Sequence, residues 1–111
     1  MSAVEERIRS LRERFAQALP ARVADLRQTW IRLNANPASA TLKREFARQL
    51  HTLGGTAGTY GLTNVAGLAV EGEIACGDLG LHPDSETLPY LATIVDDIGQ
   101  AVEAWLEGDS Q

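Results

Sequence analysis

One cysteine, no basic residue after Arg48 and no long apolar run set this chain of 111 residues apart by what it lacks. Cys76 has no partner for an internal disulfide, so the fold must be held by its core rather than by cross-links. No stretch reaches the roughly eighteen apolar residues that a membrane-spanning helix needs, and no early apolar segment leads to a small-residue cleavage site. A cytoplasmic protein with no membrane insertion is therefore expected. The length suits one domain over residues 1–111, because a division would leave neither half an adequate core. With 44% hydrophobic and 23% charged residues the composition is that of a globular chain, and it excludes disordered and collagen-like readings.

The absence of late basic residues divides the charge sharply. All ten Lys and Arg side chains fall between Arg7 and Arg48, where five acids accompany them and leave +5; everything from Gln49 onward carries ten acids and sums to −10. The net charge of −5 argues against nucleic acid as a partner, since such binding draws on the neutralisation of phosphates. In a helical bundle the two parts would lie side by side and attract weakly. The basic part could also steer an acidic partner.

Apolar spacing is helical throughout, and nothing alternates as a strand does. Ile8, Leu11, Phe15 and Leu19 form one stripe; Val23, Leu26, Trp30 and Leu33 continue it, with a break or bend expected at Pro20. Residues 34–39 read as a loop, after which Ser39 or Thr41 can cap a long amphipathic helix carrying Leu42, Phe46, Leu50, Leu53, Ala57 and Tyr60. Thr63 is a candidate cap for a helix through Val65, Leu68, Ala69 and Gly72, ending near residues 76–78. A loop is expected over 77–84, with His82 as one of its residues. The last helix, from near Ser85, carries Leu88, Leu91, Val95, Ile98, Val102 and Trp105 and tolerates Pro89 in its first turn. The fold class that accounts for these segments is all-α, an antiparallel four-helix bundle with an additional N-terminal helix.

Four glycines, Gly54, Gly55, Gly58 and Gly61, interrupt the second long helix although each costs about 1 kcal/mol relative to alanine there. They are not a phosphate-cradling loop, because no Gly-Lys-Ser/Thr follows and the Gly-x-Gly start of a dinucleotide site is missing. Projection of the helix places His51 away from the apolar stripe and facing solvent. Around it on that surface lie Arg44, Arg48, Ala47, Gly54, Gly55 and Gly58. Helix-weakening residues beside an exposed imidazole make sense if they clear the approach for another molecule.

The run His51-Thr52-Leu53-Gly54-Gly55-Thr56-Ala57-Gly58-Thr59-Tyr60-Gly61-Leu62 resembles the signature of histidine-containing phosphotransfer (HPt) domains, His-x-Leu-Lys-Gly followed by small residues and a glycine ten places after the histidine. Glu73 falls where the family usually carries a glutamate in the next helix, and the resemblance extends over roughly residues 12–107. It implies a four-helix bundle in which His51 accepts a phosphoryl group from the aspartate of a receiver domain and passes it to another, with Gly55 keeping the approach open. In one respect the chain departs from the pattern: the family's lysine three residues after the histidine is Gly54 here. A cation beside a phosphoimidazole stabilises its charge of about −1.5 to −2. Arg44 and Arg48 lie on the face from which they could replace it.

Implied with the resemblance are a phosphorelay carrier without kinase activity of its own, response-regulator receiver domains as partners, and a hybrid sensor kinase as a further candidate. Imidazole is a competent nucleophile near neutral pH, and positioning and charge neutralisation would come from the receiver's acidic pocket and its Mg²⁺. This chain is accordingly expected to bind no cofactor and no metal, and to be a monomer. The alternative is a degenerate bundle that binds a receiver or kinase as a non-transferring adaptor, because the lysine is missing.

Overall fold

The computed structural model describes residues 2–79 and 86–108, and among these it is built from four helices and no strands. Helix α1 spans Ala3–Ala35, α2 Ala40–Thr59, α3 Thr63–Leu79 and α4 Thr87–Gly108. Each helix packs on two others in a closed ring, α1 on α2, α2 on α3, α3 on α4 and α4 on α1. Basic α1 and α2 thus lie against acidic α4 and α3. No helix among the described residues is long and apolar enough to cross a membrane.

The stripes read from the sequence line a single core. Phe15, Leu19, Val23, Leu26 and Leu33 of α1 meet Phe46, Leu50 and Leu53 of α2, Val65 and Ala69 of α3, and Leu91, Val95, Ile98 and Val102 of α4. Phe15 and Leu19 are core residues, not part of an open groove. Trp30 packs on Phe46 at 5.8 Å between ring centroids, while Trp105 is half-buried at the far end beside Phe15 at 6.4 Å. Phe15 also stacks on Tyr60 at 4.9 Å, which ties the start of the buried stripe to the end of α2.

Of the two arrangements open at Pro20, a break or a bend within one helix, the structure excludes the break, and it does not distinguish an additional N-terminal helix. Helix α1 runs unbroken through Pro20 for 33 residues. Proline removes one backbone hydrogen bond, but its fixed φ is helical, and the apolar positions on either side of Pro20 keep one phase. Burying Phe15, Leu19, Val23 and Leu26 along that phase outweighs the lost bond. Residues 2–14 are all exposed; Arg12 still reaches over the Trp105 ring at 5.3 Å, the residues before it extend the helix further, and the overall dimensions are 52 × 22 × 19 Å.

Serine caps mark the starts of α1 and α2. The Ser2 hydroxyl accepts from the Glu5 amide at 3.1 Å, and Ser39, rather than Thr41, accepts from the Leu42 amide at 3.2 Å. Thr63 is not a cap but the first residue of α3, whose opening bond runs from the Ala66 amide to the Leu62 carbonyl at 3.0 Å. Helix α3 continues to Leu79, beyond the stop expected near residues 76–78, so residues 77–79 of the expected loop are helical. The rest of that loop, His82 and the start near Ser85 lie outside the described residues, and Pro89 is in the first turn of α4.

Cys76 is buried where α3 meets α2, and its thiol donates to the Lys43 carbonyl at 3.5 Å. Burial pushes the thiol's pKa up; nearby Lys43 opposes the rise and Glu73 adds to it. The reactive thiolate therefore appears in the folded chain only at a higher pH than for an exposed cysteine. We expect a thiol reagent at pH 8 to label the native chain at least about tenfold more slowly than the denatured chain. Equal rates would show that the α2–α3 seam opens freely.

Candidate functional site

Helix α2 presents His51 in its middle, and the side chain is 80% exposed. The position follows from phase: Phe46, Leu50, Leu53 and Ala57 turn to the core, and His51 falls on the solvent side next to α3. Nδ1 lies 3.3 Å from the Glu73 carboxylate of α3, so Nε2 is the ring nitrogen left open to solvent. With Glu73 accepting, Nδ1 carries the proton and Nε2 keeps its lone pair.

The four glycines do different things. A Cβ built on Gly55 meets nothing within 4 Å, and one on Gly58 meets only Ala66 Cβ at 3.9 Å, so the surface one and two turns after His51 is bare. Gly61 adopts φ +85°, the left-handed conformation that closes α2, with Leu62 N–H bonded to the Ala57 carbonyl at 2.8 Å. Gly54 departs from the expectation that it shares the open surface. It is half-buried against α3, where a Cβ would come within 2.9 Å of Ala69 Cβ. Projection of one helix separates core from solvent but cannot say which flank a neighbouring helix will cover.

The arginines are placed as follows. Arg48 is exposed and its guanidinium donates to Glu45 at 2.8 Å, one turn back along α2. Arg48 and Glu45 both lie toward α1, and Arg48 lines a groove there with Arg22, Asp25 and Thr52. Arg44, two turns before His51, is exposed. Neither arginine hydrogen-bonds the imidazole, whose partner among the described residues is an acid.

His51 thus stands exposed on a helix flank cleared of side chains, with a carboxylate from the next helix of a four-helix ring beside its Nδ1. A family model described as Hpt domain matches residues 10–104. The chain belongs to the Hpt domain family. Comparison with curated proteins and with solved structures gave no match, so the family model carries the assignment. This Hpt domain is a helical phosphotransfer module of two-component signalling, a family of carriers rather than kinases that works with receiver domains.

In this Hpt domain Glu73 is the residue that spacing alone did not connect to the histidine. The two are 22 positions apart on separate helices, and what pointed to Glu73 was the family-like placement of a glutamate. The antiparallel pairing of α2 and α3 brings them together, through the contacts of Gly58 with Ala66, Gly54 with Ala69 and His51 with Glu73.

Proposed function

We propose that His51 is the phosphoacceptor of a phosphorelay and that it both receives from and delivers to receiver-domain aspartates. The observation that carries this reading is the exposed ring with Nδ1 held by Glu73 and Nε2 free. The Nε2 lone pair attacks phosphorus, the bond from phosphorus to the aspartyl oxygen breaks, and the aspartate leaves as a carboxylate. The proton stays on Nδ1. The ring becomes cationic, and Glu73 stabilises that charge. The reverse step returns the phosphoryl group to a second aspartate. The receiver's acidic pocket and its Mg²⁺ supply charge neutralisation, and this chain contributes the nucleophile and an unobstructed approach.

Arg44 and Arg48 take a different part from that of a direct lysine substitute. Arg48 is engaged by Glu45 on the α1 side of α2, and Arg44 is exposed two turns before His51; both add positive charge to the helix that a receiver's acidic rim would meet. Gly55 and Gly58 give the receiver's backbone room beside the ring.

A non-transferring adaptor is the second reading, favoured by the glycine at position 54 where the family carries a lysine. Incubation of the chain with a receiver domain carrying labelled phosphate separates the two: label passing to the chain, stable to alkali and lost in acid, supports the carrier, and a chain that binds but stays unlabelled supports the adaptor.

The bare flank makes a prediction in two parts. Gly55→Ala adds helix propensity where a Cβ meets nothing, and raises stability by about 1 kcal/mol in urea unfolding. Gly55→Phe obstructs the approach one turn from His51 and slows transfer from the receiver, roughly tenfold or more, while the fold is kept. Unchanged transfer in Gly55→Phe would show that receivers approach the ring from another side.

A further inference from the structure

We propose that Gly54 is a positioning residue: by lacking a Cβ it sets the α2–α3 spacing that lets Glu73 hold Nδ1 of His51. The proposal rests on the reading of His51 as the phosphoacceptor for its functional consequence, although its geometric part stands without it. At position 54 the family's lysine is replaced by the one glycine of the His51 flank that is pressed against a neighbouring helix.

The seam descends in steps of about a turn. A Cβ added to Gly58 would stand 3.9 Å from Ala66 Cβ, an ordinary contact, and one added to Gly54 would stand 2.9 Å from Ala69 Cβ, closer than such atoms pack. One turn further on, about 5 Å along the axis, His51 meets Glu73 at 3.3 Å. Ala69 Cβ is fixed to its backbone and cannot rotate away, so any side chain at 54 must push α3 from α2. The His51–Glu73 contact is already at the long end of the range for an N–H···O hydrogen bond, and a few tenths of an ångström separate it from no bond. Glu73 and Ala69 are four residues apart on the same face of α3, so what displaces one displaces the other.

A ring that loses its carboxylate samples both tautomers, and the one with the proton on Nε2 has no lone pair there for phosphorus. Gly54 therefore trades helix propensity, and the family's cation, for the orientation of the nucleophile by one long hydrogen bond. A lysine at 54 would bring the same Cβ, so restoring the family residue costs the orientation of the ring unless Ala69 gives way.

Gly54→Ala, Ala69→Gly and the double variant test this, with Gly67→Ala, whose Cβ would meet nothing, as the control. The readouts are the His51 tautomer from ring ¹⁵N shifts at alkaline pH and the initial rate of phosphoryl transfer from a labelled receiver. In Gly54→Ala the Nδ1-protonated fraction is expected to fall at least twofold and the rate roughly tenfold. The double variant returns both, and Gly67→Ala changes neither. Should Gly54→Ala not fold, Ala69→Ser thickens the same contact from α3 and is expected to shift the tautomer in the same direction. A wild-type tautomer in Gly54→Ala, or no recovery in the double variant, overturns the proposal. A tautomer that shifts and recovers in a chain receiving no phosphate would instead keep the positioning role and reject the carrier.

Discussion

His51→Gln is expected to abolish acceptance of phosphate from a receiver, a loss on the order of 10³-fold or more, while leaving the fold intact. The magnitude is that of removing a nucleophile for which no neighbour substitutes: His51 is the ring on the cleared flank, and the groups around it are glycines, a carboxylate and arginines. Glutamine has a similar reach and its amide can still meet Glu73, so packing is preserved. At a side chain 80% exposed the change in stability should stay within about 0.5 kcal/mol, checked by urea unfolding. Labelled phosphate on the His51→Gln chain would refute the assignment of the acceptor. Retained receiver binding with lost labelling would show that docking and transfer use different parts of the same face.

Pro20→Ala carries the second large effect, in the opposite direction. Pro20 lies in the interior of α1, exposed, with an intact helix on both sides. Proline there forgoes a hydrogen bond and costs about 3 kcal/mol against alanine, and about 1 kcal/mol returns because proline also restricts the unfolded chain. The expected outcome is a gain of about 1–3 kcal/mol, seen as a rise in Tm of roughly 4–8 °C per kcal/mol for a domain near this size. No packing is lost, because the side chain touches solvent rather than the core. A fall in stability would mean that the proline bends α1 to fit its neighbours and that the stripe on either side depends on that bend.

The helices were legible because their apolar positions recur at three and four residues without interruption, as in Leu88 to Trp105. Pro20 shows where local rules fail: a breaker in the middle of a helix is overruled when the positions before and after it belong to one buried stripe. The two ends of α3 were each misplaced by about one residue for a related reason, since a carbonyl from Leu62 and burial of Leu79 decide boundaries that composition only suggests. Gly61 was marked by the signature, and its left-handed φ explains why glycine stands there.

By itself the sequence determined an all-α chain, a histidine on the solvent side of its second long helix, and membership of a phosphotransfer family through the residues that follow that histidine. These are properties of single helices, where period and side-chain type suffice. Only the tertiary structure decided that α1 is continuous, that Arg48 turns to Glu45, that Glu73 holds the ring and that Gly54 lies in a helix seam rather than on open surface. Each of those depends on which flank of one helix another covers, and that is settled by packing across the whole ring of four.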